Sequence, residues 1–394
     1  RSQRVVLAGG ALLAVGVVLT EVNLRPTVTS LSSVLDEVRS SLAASGVWAS
    51  VLTTVPTLCF VGAGVAAPWL RRRLGMATAV GAALAVLAAG LLVRVLGGQA
   101  VLLAGTFVAC IGIAIGNVLV PVVVKESFPK RLGLMTGVYT AALQGGGAIG
   151  SSLTPSLDSW LGGWRAALAA WFVLALLALL CWMLALRLPG KRERGAVAEP
   201  VVEGPRRSFA RSALAWQIAV FFGTQSFVAY VVMGWLPAIL MDAGLDRQDA
   251  GLLLGLAAVL AVPISLVVAP LAARQRRQSG WLAATTLCGA AGVLGLLLAP
   301  AAAPVLWSAL LGIGLGVFSL ALTLLSLRTE HPADTARLSA MAQGIGYVIA
   351  SFGPLLVGLL HTATGSWSAP LIMVLGVMVV QLVLGWTSGR DRYV

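Results

Sequence analysis

The run AGGALLAVGVVLTEVNLRPT, Ala8 to Thr27, decides how the rest of the chain is read. Its length suits a helix crossing the hydrocarbon of a bilayer, and its only charges are Glu21 and Arg25. Ionisable side chains inside a spanning helix are costly and mark functional positions. Four residues apart, these two lie on one helical face. Pro26 lacks a backbone donor, so the helix is expected to bend there and turn Arg25 inward, towards a central cavity. The competing expectation is that Arg25 snorkels to the outer membrane interface.

Runs of the same kind recur along all 394 residues. The chain is 59% hydrophobic and 10% charged, with a mean hydropathy of +0.95. Soluble domains carry roughly 25% charged residues. This is therefore an all-α membrane protein, and the roughly ten-residue alternating segments of a β-barrel are not seen. Twelve spans are expected, at about 4–27, 45–68, 75–95, 99–121, 132–155, 164–187, 213–240, 248–272, 279–299, 303–327, 338–360 and 368–388. With the N-terminus inside, 22 of the 27 Lys and Arg fall on inner segments. Arg25, Arg39, Arg94, Arg165 and Arg247 are left outside. This positive-inside pattern places both termini in the cytoplasm of a bacterial-type plasma (inner) membrane. It also accounts for the net charge of +13 without a nucleic-acid partner. The first run leads directly into the others, so no separate secretory signal is expected.

The longest polar stretch, 188–212, holds Lys191, Arg192, Glu193, Arg194, Arg206 and Arg207 and reads as a flexible cytoplasmic linker. It divides the chain into an N-terminal six-helix half, 1–187, and a C-terminal six-helix half, 213–394. The halves echo each other. Val65-Ala66-Ala67-Pro68, followed by Arg71-Arg72-Arg73, matches Val267-Val268-Ala269-Pro270, followed by Arg274, Arg276 and Arg277. Arg131-Leu132 with Met135 matches Arg337-Leu338 with Met341. Two six-span halves in parallel repeat are the organisation of the major facilitator fold, with the substrate site between them near mid-membrane. Gly112-x-x-x-Gly116, Gly145-Gly146-Gly147 with Gly150, and Gly312-x-Gly314-x-Gly316 read as surfaces for close helix packing.

A family resemblance follows from residues spread over nearly the whole chain. They are Asn23-Leu24-Arg25-Pro26 in the first span, Gly116-Asn117-Val118-Leu119-Val120-Pro121 in the fourth, and Gly137-Val138-Tyr139-Thr140 in the fifth. Gly163-Trp164-Arg165 opens the sixth, and Gln225-Ser226, Tyr230 and Gly234-Trp235-Leu236-Pro237 mark the seventh. The eleventh carries Leu338-Ser339-Ala340-Met341-Ala342-Gln343-Gly344, Gly346-Tyr347 and Gly353-Pro354. Together these resemble the cyanate/2-nitroimidazole transporter family of the major facilitator superfamily. The resemblance implies transport of a small molecule and leaves the substrate open. The superfamily's second–third loop usually has an Asp before its Arg. Pro68-Trp69-Leu70-Arg71 has none, so a gating ion pair is not expected there.

Arg25 is the leading candidate for binding substrate. Its planar fork of five donors suits carboxylate, nitro or cyanate-like groups. The further candidates are Asn23, Asn117, Tyr139, Gln144, Gln225, Tyr230, Gln343 and Tyr347, from the first, fourth, fifth, seventh and eleventh spans. The resemblance implies that spans 1, 4, 5, 7, 8, 10 and 11 line the cavity. Each polar residue has a plainer role open to it, a hydrogen bond between helices. Glu21 also has two roles open, a static partner for Arg25 or a proton-coupling site. No phosphate-binding Gly-x-x-x-x-Gly-Lys-Ser/Thr occurs, and no metal-ligand cluster or catalytic triad stands out. Cys59, Cys110, Cys181 and Cys288 lie in separate apolar runs, as packing residues would. A monomer without cofactor, embedded in lipid, is expected. It is a secondary active transporter, not an enzyme, and moves a small polar or anionic molecule by alternating access. The alternatives are a proton-coupled exporter of neutral drugs using Glu21, and a membrane sensor that binds without transport.

Overall fold

A chain surrounded by lipid must satisfy its backbone within each segment, and helices do so. The computed structural model describes residues 2–128, 132–187, 209–329 and 332–394. Residues 188–208 of the expected linker, with Lys130 and Arg131, lie outside the described residues. The first six crossings are α1 (Ser2–Leu24) continued by α2 (Pro26–Ser33), then α4 (Gly46–Leu74), α5 (Met76–Val93), α6 (Gln99–Ser127), α7 (Leu132–Leu161) and α8 (Trp164–Arg187). A short helix, α3 (Leu35–Ser41), follows α2 without crossing. The last six crossings are α9 (Ala213–Asp242), α10 (Arg247–Pro263) with α11 (Ala269–Ala273), α12 (Ser279–Leu298), α13 (Pro304–Leu315) with α14 (Val317–Leu327), α15 (Pro332–Thr364) and α16 (Ser368–Ser388). Among the described residues, eleven crossings are apolar enough to span by composition. The twelfth, α7, has 30 residues, long enough to span, but is more polar. It packs between α1, α2 and α10, so its small and polar residues meet helices instead of lipid.

The expected bend is an interruption at Arg25, whose backbone sits at φ −101, ψ −33 before Pro26 opens α2. Pro26 has no N–H, so the Val22 carbonyl loses its helical donor. Gly146 of α7 packs against that oxygen, where a β-carbon would overlap it. A β-carbon at Gly150 would lie 2.6 Å from Pro26 Cα. The contact is fastened by Thr29 Oγ1 donating to the Gly147 carbonyl (3.0 Å) and Ser33 Oγ donating to the Ser151 carbonyl (3.1 Å). The glycine run thus seats the broken first crossing, as its packing role predicts. Arg94, assigned to an outer segment from sequence, is instead fully buried at the end of α5. It donates to the Thr27 and Leu168 carbonyls, each at 3.1 Å, and so ties α2 to α8.

Twelve crossings bring the start of α1 and the end of α16 to one end of the bundle, here the linker end. At the opposite, far end, a single apolar cluster joins the halves. It sets Leu31, Val34 and Leu35 against Trp235, Leu236 and Ile239. Arg247, at the start of α10, bridges to Glu37 of α3 and to Asp158 of α7 (2.7 Å). Towards the linker end the buried residues form two separate clusters, one per half, with Phe60 of α4 packing across onto the second.

Candidate functional site

A cavity with about 680 Å3 of empty space, counting its mouth, lies between the halves. The first half contributes Leu24, Arg25 and Val28 from α1 and α2, Phe60 from α4, Ile113 and Asn117 from α6, and Leu143 from α7. From the second half, α9 supplies Gln225, Ser226, Ala229, Tyr230 and Met233. Leu315 and Phe318 come from α13 and α14, and Tyr347 from α15. The crossings differ from expectation at two points. The eighth contributes no lining residue among those described, and the second contributes Phe60.

Arg25 is half-buried and is the one charged residue among the described lining. Its Nη1 points across to the second half and lies 3.4 Å from Met233 Sδ. A thioether is a weak acceptor, and the guanidinium carries five donors, so most of its hydrogen-bonding capacity faces the cavity unspent. Among the described residues, no carboxylate lies within ion-pairing distance of it. Gly147 allows the approach, since a β-carbon there would sit 3.3 Å from Arg25 Cδ.

Aromatic rings from both halves form part of the wall. Phe60 stacks on Tyr347 with centroids 4.9 Å apart, and Tyr230 lies 6.2 Å from Phe60. Phe222 braces Tyr347 edge-on at 5.8 Å. The Gln225 amide donates to the Phe222 carbonyl (3.0 Å) and to Ser226 Oγ (2.6 Å), which fixes its orientation. Its Oε1 is left buried without a partner. The cavity therefore combines one cation, flat apolar faces and a few neutral polar groups. That combination can hold a small anion, or a planar molecule with a negative edge.

Arg25, Asn117, Gln225, Tyr230 and Tyr347 come together here. The other candidates do not. Asn23 is buried and donates to the Leu19 (2.7 Å) and Leu174 (3.1 Å) carbonyls, joining α1 to α8. Gln343 donates to Ser339 Oγ (2.8 Å) along α15. Tyr139 packs on the first-half core. Gln144 is buried on α7 with its Oε1 unpartnered. Glu21 is 1% exposed, and neither carboxylate oxygen has a hydrogen-bond partner, so the static ion pair with Arg25 is not formed. Sequence reasoning missed Phe60, Met233 and Phe318. As apolar residues in apolar helices they carry no signal that separates them from lipid-facing positions.

Residues 13–354 match the profile of the Major Facilitator Superfamily. The chain is 36% identical over 382 residues to the "2-nitroimidazole transporter" of Escherichia coli (strain K12), covering 96% of each. It is 31% identical over 373 residues to the "Cyanate transport protein CynX" of the same organism, covering 93% of this chain and 95% of that one. Among solved structures, it superposes on a bacterial homolog of the human lysosomal transporter Spinster, in an inward-facing and occupied conformation. The TM-score is 0.79, with 15% identity and 98% of each chain covered.

Proposed function

Because the chain belongs to the major facilitator superfamily, we propose that it is a secondary active transporter for a small anion or a nitro- or carboxylate-bearing heterocycle, with Arg25 as the group that binds the negative edge. One observation carries this reading: an unpaired guanidinium is the sole charge on the described wall of the central cavity. In a site withdrawn from water, a charge-assisted fork is strong and directional. The names of the relatives, cyanate and 2-nitroimidazole, are chemically consistent with it. The linker end faces the cytoplasm of a bacterial inner membrane, as the distribution of Lys and Arg favours. Transport proceeds by rocking one half against the other, and the far-end seal represents the closed outer path.

The test is ligand-induced thermal stabilisation of the purified protein with cyanate, benzoate and 2-nitroimidazole, followed by counterflow in proteoliposomes. Arg25→Ala is expected to abolish the response while the protein still folds. Arg25→Lys is expected to weaken it, since an ammonium lacks the fork. Wild-type affinity in Arg25→Ala sinks the reading, and binding without counterflow marks a sensor.

A further inference from the structure

Glu21 is the buried acid that anion binding leaves unused. It is 1% exposed and both its oxygens lack partners. By helical phase it lies on the cavity-facing side of α1, between the directions of Leu24 and Arg25, three and four residues on, which line the cavity. It therefore lies one turn nearer the linker end than Arg25. The packing against α7 fixes its other neighbours. Val22 meets Gly146, Arg25 meets Gly147, Pro26 meets Gly150 and Ser33 meets Ser151, so the two crossings run parallel. Stepping back one turn on both brings Glu21 level with Gln144, whose Oε1 is also buried and unpartnered. Two acceptor groups then share one level, and a protonated carboxyl supplies a donor there.

Charge balance connects this acid to the cavity. An unpaired carboxylate withdrawn from water is costly, and either a proton or a nearby cation relieves it. Arg25 is the charged group acting on Glu21. Tyr230 and Tyr347 face Arg25 from α9 and α15, and Tyr139 stands on α7. One guanidinium thus serves two acids, Glu21 and the ligand, and it points away from Glu21 towards Met233.

We propose that Glu21 is a proton-binding site that couples the transported anion to a proton through competition for Arg25. With Glu21 ionised and no anion bound, Arg25 turns back to neutralise the carboxylate; the arrangement seen here, with Arg25 turned to Met233 and Glu21 unpartnered, is the protonated one that admits an anion. An arriving anion takes Arg25, and Glu21 takes a proton from water, forming an O–H bond. On release the anion leaves Arg25, Arg25 returns to Glu21, and the proton departs to water on the same side. A monoanion and a proton cross together with no net charge. The proposal rests on Arg25 being the anion site.

The test reads affinity against pH, with cyanate and benzoate as probes. In wild type the apparent Kd rises tenfold per pH unit once Glu21 must be protonated for binding. Glu21→Gln, a permanently neutral stand-in, loses that slope and binds more tightly than wild type at high pH. In proteoliposomes an imposed pH gradient drives accumulation of labelled probe by wild type and not by Glu21→Gln. A wild-type slope or wild-type accumulation in Glu21→Gln overturns the coupling. If that variant does not fold, a pH-indicator dye decides on wild type alone: proton uptake on probe binding supports the proposal, and none overturns it. Unaltered affinity in Arg25→Ala, or no binding of either anion by wild type, instead removes the Arg25 site and the coupling with it.

Discussion

Arg247→Gln removes the cation that fastens the two halves at the far end. Arg247 bridges Glu37 and Asp158, with side-chain exposures of 35%, 29% and 10% respectively. Exposed ion pairs contribute about 0.2–1 kcal/mol each, whereas stranding a fully buried charge costs about 3–5 kcal/mol. Asp158 is close to buried and its partners are screened by water, which puts the combined loss at about 2 kcal/mol. That is roughly a 30-fold shift towards separation of the far ends. A population of one open molecule in a hundred becomes roughly one in four. Leu96 and Ala302 are exposed at the far end, one in each half. Nitroxides at Leu96→Cys and Ala302→Cys, with the four native cysteines replaced, report the separation by pulsed electron paramagnetic resonance. Arg247→Gln is expected to add a longer-distance component of that size. An unchanged distance distribution refutes the latch, since the apolar cluster would then close the end alone.

Further outcomes follow from other contacts. Burial, and then its hydrogen bond to Asp158, hold the Glu37 carboxyl above the usual range, against the opposing pull of Arg247. Asp36 is raised by burial, with Arg39 opposing, and Asp242 and His361 stand nearby. A group whose pKa is raised in the closed state favours closure fully below its ordinary value and loses that contribution as pH rises through the raised one. The far-end distances should therefore shorten as pH falls through this window, and Glu37→Gln should flatten the response. Gly146→Ala forces a methyl group onto the Val22 carbonyl. It should destabilise the protein by about 1–3 kcal/mol, read as a lowered Tm, while Gly145→Ala, which meets nothing within 4 Å, should be nearly silent. Arg94→Met frees the Thr27 and Leu168 carbonyls. It should cost about 1–3 kcal/mol for each stranded acceptor and weaken anion binding, because Thr27 lies two residues from Arg25.

The break at Arg25 was legible because Pro26 removes a helical hydrogen bond there, although Pro121, Pro155, Pro237 and Pro354 lie inside unbroken helices, and Arg25 could be singled out because its charge has no place in lipid. The helical fold with twelve crossings followed from apolar run lengths and charge alternation, including α7, which composition alone under-rates. The polar set was only half legible. Asn23 stands two residues from Arg25, about 200° around the helix, so helical phase already turns it away from the cavity towards α8. Gln343 shares a face with Tyr347 but lies one turn nearer the linker end, and height within a bundle is invisible to a one-dimensional pattern. Phe60 and Met233 reach the cavity only through the way α4 and α9 pack. The far-end latch joins residues far apart in sequence on α3, α7 and α10, and no local motif announces it. The second–third loop, where the superfamily places an acid, has none, and the cross-half ion cluster described here lies at the opposite end.

The polarity of α7 has a consequence for how the protein is made. A segment carrying Gly145, Gly146, Gly147, Gly150, Ser151, Ser152 and Thr154 partitions poorly from the insertion channel into lipid by itself. By the time α7 emerges, the broken first crossing already stands in the bilayer, offering the Val22 carbonyl and the Thr29 and Ser33 hydroxyls that α7 packs on. Retention of α7 in the membrane thus depends on a surface made four crossings' worth of synthesis earlier. The order of the chain therefore lets the helix seating Arg25 assemble against a finished partner.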